Sequence, residues 1–82
     1  MRLADKIREF VYENYIKPAR ERGLRLVTIR AGDIHSQMGL KNRMPAVCEA
    51  LSAKKFEEMY NVKLIKRKGP VHGADVYFTF RI

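Results

Sequence analysis

The 82-residue chain has no tryptophan, one cysteine, three prolines and nine acidic residues. A lone cysteine excludes an internal disulfide. There is no run of about twenty apolar residues and no leading apolar segment with a small-residue cleavage site, so neither a membrane span nor a secretory signal is expected. The expected location is the cytoplasm, with no membrane partner. Cysteine, histidine and carboxylates nowhere recur at metal-ligand spacing, and no glycine-rich phosphate loop, paired-acid arrangement or cofactor fingerprint is present. No metal, cofactor or catalytic residue is therefore expected, and Cys48, on an apolar stripe with no assignable base to activate it, reads as a small core residue rather than a nucleophile.

Against the nine acids stand seventeen Lys and Arg, a net charge of +8, which is the sign that polyanions attract. The excess sits at the two ends. Residues 1–30 carry eight basic and four acidic side chains, residues 31–61 four and four, and residues 62–82 five and one. A chain of this length can bury a self-sufficient core by a modest margin, and a single domain over 1–82 is expected.

The most informative stretch is Ala31 to Leu51, AGDIHSQMGLKNRMPAVCEAL, which reads as two short amphipathic helices around a glycine turn. Ile34 and Met38 share one face of the first helix, Gly39 provides the positive-φ residue that ends it, and Leu40 plugs the turn. Asn42 is the expected N-cap of the second helix, and Pro45 falls in its first turn, where a missing N–H is harmless. Met44, Val47, Cys48 and Leu51 recur at i, i+3, i+4, i+7 and form the inward stripe.

Before this pair, residues 3–22 carry Leu3, Ile7, Phe10, Val11, Ile16 and Ala19 at helical spacing. Pro18 should kink that helix or interrupt its hydrogen bonding just ahead of itself, and Gly23 should stop it. Tyr12 and Tyr15 widen its apolar surface beyond one packing face, which raises a homodimer through the first helix as an expectation. Residues 24–29, LRLVTI, alternate as a short strand with Leu24, Leu26 and Thr28 on one side. Asp33 near the start of the next helix complements the helix dipole.

After Leu51 an unbroken helix would turn Lys55 inward and Phe56 outward, so a break near Ser52 is expected, with Ser52 capping a further helix over 53–61 that buries Phe56 with Met59 or Tyr60. Residues 62–67 and 75–82 then read as two strands of a hairpin joined by the loop KGPVHGA. In the second strand Val76, Phe78, Phe80 and Ile82 alternate with Tyr77, Thr79 and Arg81.

The helix pair resembles the helix-turn-helix family, in which the turn glycine has apolar residues one and five positions before it and one after it, as Met38, Ile34 and Leu40 do here. His35 departs from that pattern, standing four residues before the glycine where the family keeps a small side chain. Helix, strand, helix, helix and a terminal hairpin, an α+β arrangement, resembles over essentially the whole chain the winged helix-turn-helix fold. The resemblance implies binding of double-stranded DNA, with the helix at about residues 42–51 in the major groove and Lys66 to Gly73 as the wing on the backbone. Arg43 is the candidate for a guanine edge, Asn42 for adenine, Ala46 for a thymine methyl and Glu49 for a cytosine amine. Lys41, Lys54, Lys66, Arg67, Lys68 and His72 are candidates for phosphate. So thin a base-reading face implies binding carried mainly by phosphates, in a small transcriptional regulator or DNA-binding module. Two further readings stay open: an RNA-binding or ribosome-associated domain, since charge does not distinguish polyanions, and a protein-interaction winged helix that docks through its first helix.

Overall fold

The computed structural model describes residues 2–71 and 73–82, and His72, one of the candidate phosphate ligands, lies outside the described residues. The chain is an α+β domain with helices on one face of a three-stranded antiparallel sheet.

The first helical run is continuous in backbone conformation but changes pitch: α1 (Leu3–Val11), a π-helical turn (Tyr12–Ile16) and α2 (Lys17–Glu21). The widened turn sits directly ahead of Pro18, where the interruption is expected, because an α-helical proline would leave the carbonyl four residues back without a donor and press its ring against it. Gly23, at φ 74°, ends the run, with the Gly23 and Leu24 N–H groups donating to the Arg20 and Ala19 carbonyls at 3.0 and 2.9 Å. Ile7, Val11, Ile16 and Ala19 are buried. Arg8 is buried with them, its Nε donating to the Ala50 carbonyl at 3.0 Å and its Nη1 to Asp5 at 3.1 Å. The two tyrosines are engaged within the chain: Tyr12 stacks on Tyr60 with ring centroids 4.5 Å apart, and the Tyr15 hydroxyl donates to Gln37 Oε1 at 3.0 Å.

Strands β1 (Leu26–Arg30), β2 (Lys63–Lys68) and β3 (Tyr77–Arg81) lie in the order β1-β3-β2. Val27 and Ile29 of β1 face the helices with Phe78 and Phe80 of β3, so the side shared by Leu24, Leu26 and Thr28 is the solvent side. The chain passes from β1 into α3 (Ala31–Gln37) without a connecting loop. The first two amides of α3 continue the sheet's bonding, Ala31 N–H to the Val76 carbonyl at 2.8 Å and Gly32 N–H to the Ala74 carbonyl at 3.0 Å. A Cβ on Gly32 would stand 2.9 Å from Ala74 Cβ, the Ala74 carbonyl oxygen and Arg30 Nη1. Gly32→Ala is therefore expected to lower stability by about 1–3 kcal/mol, seen as an earlier urea midpoint with an unchanged slope.

Helix α4 (Met44–Ser52) is separated from α5 (Lys54–Tyr60) by Ala53 in extended conformation, φ −72° and ψ 140°. The break falls where the register requires it, but Ala53 rather than Ser52 occupies the capping position of α5, with no side-chain cap. The break turns Phe56 inward, edge-on to Phe80 at 5.1 Å and to Tyr60 at 5.6 Å. Tyr60 is the half-buried partner of Phe56, while Met59 is 45% exposed. Asn61, at φ 54°, ends α5, and Arg20 closes the corner by donating to the Tyr60 and Asn61 carbonyls at 2.9 and 2.8 Å.

Asp5 joins α1 to α5 through Lys55, Nζ to Oδ1 3.2 Å. The Lys55 hydrogen bond, aided by the charges of Lys55 and Arg8 against a desolvation cost, holds the Asp5 carboxyl below its ordinary value. A depressed carboxyl stabilises the fold above the unfolded-chain value and loses that contribution as pH falls through the folded one. The urea midpoint of the parent should therefore drop between pH 7 and about pH 3 by more than that of Asp5→Asn, and equal drops would remove Asp5 from the acid sensitivity.

Candidate nucleic-acid interface

The α3–turn–α4 unit closes as its sequence requires at Gly39. At φ 66° this residue ends α3, and the Gly39 and Leu40 N–H groups donate to the Ser36 and His35 carbonyls, both at 3.0 Å. Asn42 is not the N-cap. It adopts the left-handed conformation at φ 54°, which asparagine tolerates, and Arg43 takes the capping position with no side-chain cap bond. His35, at the position where the family keeps a small residue, instead joins the two helices: its Nε2 accepts the Arg43 backbone N–H at 3.2 Å. That bond requires the unprotonated nitrogen at Nε2.

Val47, Cys48 and Leu51 are buried and Met44 is half-buried, as the inward stripe predicts, with Ala50 buried beside them against Arg8. Of the candidate base-reading residues, Asn42, Arg43 and Glu49 are exposed as expected and Ala46 is not. Ala46 and Ala53 are half-buried, Ala46 packing against the core, and the exposed positions are Pro45, Glu49 and Ser52. Ala46 lies one turn before the buried Ala50 on the same face of the helix and so faces partly toward the core. Ala46 is thus partly withdrawn from the exposed surface, and the outward side of α4 offers a pyrrolidine ring at its start, a carboxylate past its middle and a small hydroxyl at its end.

The cations lie at the helix ends. Lys41, Asn42 and Arg43 are exposed in the turn, and Lys54 is exposed beyond the other end, with α4 spanning about 12 Å between them. Glu49, also exposed, lies between these two groups and opposes any phosphate they attract. Glu49→Gln is expected to tighten duplex binding about fivefold at low salt and by less as salt rises. An unchanged affinity would place Glu49 away from the nucleic acid.

In the β2–β3 hairpin the expected cluster Lys66, Arg67, Lys68 is divided between two faces. Lys63, Lys66 and Lys68 pair with Arg81, Thr79 and Tyr77 on the side of the sheet away from the helices, while Arg67 pairs with Phe78 on the other side. The Arg67 guanidinium lies 5.5 Å from the Phe78 ring centroid and donates to the Val71 carbonyl. A bulge between Leu64 and Lys66 shifts the register and leaves Ile65 46% exposed. At the base of the loop Arg30 binds Asp33 at 2.8 Å and Asp75 at 2.9 Å, and these two carboxylates, Asp75 first, raise its already high pKa. Asp33 therefore pairs with a cation as well as complementing the helix dipole.

Among the described residues, none of Lys41, Arg43, Lys54, Lys66, Arg67 and Lys68 is in an ion pair, whereas Arg8, Lys17, Arg30 and Lys55 are. No group of three potential metal ligands occurs among the described residues, and Cys48 is buried. No described helix is long and apolar enough to cross a membrane. No family model, curated protein or solved structure matches this chain.

One surface escapes a reading of the sequence. Thr28, Lys66, Lys68, Tyr77 and Thr79 line an open groove of ≈ 520 Å³ on the solvent side of the sheet, with Gly69, Pro70 and Asp75 at its end. The odd-numbered residues of β3 announce an exposed face. Which residues of β1 and β2 stand beside them depends on strand order and on the bulge, and neither is written in local alternation.

Proposed function

We propose that the chain is a winged helix-turn-helix domain that binds double-stranded DNA, serving as a small transcriptional regulator or DNA-binding module. In this reading α4 enters the major groove and the β2–β3 hairpin is the wing on the backbone. The observation that carries it is the grouping of exposed cations, none ion-paired among the described residues, into one set around α4 (Lys41, Arg43 and Lys54) and one on the hairpin (Lys66, Arg67 and Lys68). Other exposed cations, among them Arg2, Lys6, Arg22 and Arg25, have no ion pair among the described residues either, so it is the clustering of these six on the two elements that points to an outside anion, and phosphate is the anion a duplex presents at high density. The sheet order β1-β3-β2 and the glycine turn between α3 and α4 support the same reading.

Binding on this surface is dominated by phosphate contacts. Arg43 is the best-placed base reader, suited to a guanine edge, and Asn42 beside it to adenine. Pro45, Glu49 and Ser52 add little, so selectivity from one domain is modest.

Fluorescence anisotropy of a labelled random duplex and a matched RNA hairpin, each titrated at about 50 and about 200 mM salt, tests the reading. The expected result is tighter binding of the duplex, falling steeply with salt. Tighter binding of the hairpin RNA would move the function to RNA. No binding, or salt-independent binding, would overturn the nucleic-acid reading in favour of a protein partner.

A further inference from the structure

We propose that the solvent side of the sheet is a second nucleic-acid surface, one that binds an unpaired DNA strand. Its chemistry differs from that of the α4 surface. The paired residues Thr28 and Thr79 place their hydroxyls 3.0 Å apart at its centre, a polar floor without charge. Tyr77, 40% exposed, borders the groove between Arg30 on one neighbouring strand and Lys68 on the other. Lys66 and Lys68 on β2 line it, and Lys63 and Arg81 are exposed farther along the same face. Among the described residues lining the groove the one carboxylate is Asp75, which accepts two hydrogen bonds from the Arg30 guanidinium, at 2.9 and 3.2 Å, and has its charge offset by them.

A row of lysines along one edge with an aromatic ring and small hydroxyls beside it fits phosphate and base at once. The lysines follow the backbone and the ring offers a stacking platform that any base accepts. A duplex cannot use the ring, because its bases are already stacked and turned inward. The cations select a polyanion, and the tyrosine selects an unpaired one. The groove is open to solvent along the sheet, as a strand laid across it requires. It lies on the face opposite the helices, so a strand bound there would not compete with α4 for space, although Lys66 and Lys68 of the hairpin are shared by the two surfaces.

The test uses a labelled oligo-dT of about 12 nucleotides beside the random duplex. Tyr77→Ala is expected to weaken oligo-dT binding at least about fivefold, the lower end of the usual effect of removing one stacking residue, and to leave duplex affinity unchanged. Because the chain has no tryptophan, Tyr77→Trp provides a single indole fluorophore at the site, and its emission is expected to be quenched by oligo-dT and to stay unchanged with duplex. Lys66→Ala with Lys68→Ala should lower the oligo-dT salt slope by roughly 0.7 for each phosphate no longer neutralised. An oligo-dT affinity indifferent to Tyr77→Ala, indole emission from the Tyr77→Trp variant that oligo-dT leaves unquenched, or equal losses for duplex and oligo-dT would overturn the proposal, as would a preference for oligo-rU. Duplex binding that fails while oligo-dT still binds and quenches would remove the duplex reading and leave this one standing.

Discussion

Phe56→Ala is expected to destabilise the domain by about 3–5 kcal/mol, the usual cost of emptying a buried aromatic site. Phe56 is fully buried, meets Phe80 and Tyr60 edge-on, and lies where the first turn of α5 closes over the sheet. Domains of this size have roughly 4–12 kcal/mol of stability in total. The substitution thus removes from about a quarter to all of it. Urea unfolding followed by far-ultraviolet circular dichroism should show the midpoint collapse. Met59→Ala, three residues along the same helix but 45% exposed, should stay within about 0.5 kcal/mol of the parent. Similar losses for the two would mean that α5 is held by something other than the burial of Phe56.

Replacing Lys66, Arg67 and Lys68 together by alanine is expected to weaken binding of every duplex, by about 10²-fold near 0.1 M salt if two of the three meet phosphates, and to flatten the salt slope by roughly 0.9 for each phosphate no longer neutralised. The division of these residues between two faces sets the order of the single variants. Arg67 lies on the side that also carries the helices, against Phe78, whereas Lys66 and Lys68 point away from it. A duplex bound across α4 and the hairpin should therefore respond most to Arg67→Ala. Retention of full duplex affinity by the triple variant would exclude the hairpin from the interface, leaving Lys41, Arg43 and Lys54 to carry the binding.

Much of this architecture is legible locally. The stripe Met44, Val47, Cys48 and Leu51, the glycine stops at Gly23 and Gly39, the disturbance ahead of Pro18 and the alternation of β3 each follow from period or backbone chemistry within a few residues. What local reading misses depends on distant partners. Asn42 looks like a cap until the turn demands a left-handed residue, which asparagine supplies more readily than Lys41 or Arg43. Ala46 looks like an outward residue until Ala50, one turn on along the same face, is found buried beside Arg8 of the first helix and Ala46 half-buried with it. The basic run Lys66–Lys68 looks like one patch until the strand assigns alternate residues to opposite sides.

The direct passage from β1 into α3 has a mechanical meaning. The Ala31 and Gly32 amides are bonded to the Val76 and Ala74 carbonyls, and Arg30 holds Asp33 and Asp75 across the same corner, so the helix pair and the root of the hairpin form one lever rather than two hinged arms. The separation between the turn cations and the hairpin cations is then set before any partner arrives. Such a body would work as callipers do: if the proposed duplex reading holds, the fixed gauge between the two sets of cations, rather than an adjustment on binding, decides which phosphate spacing it can span.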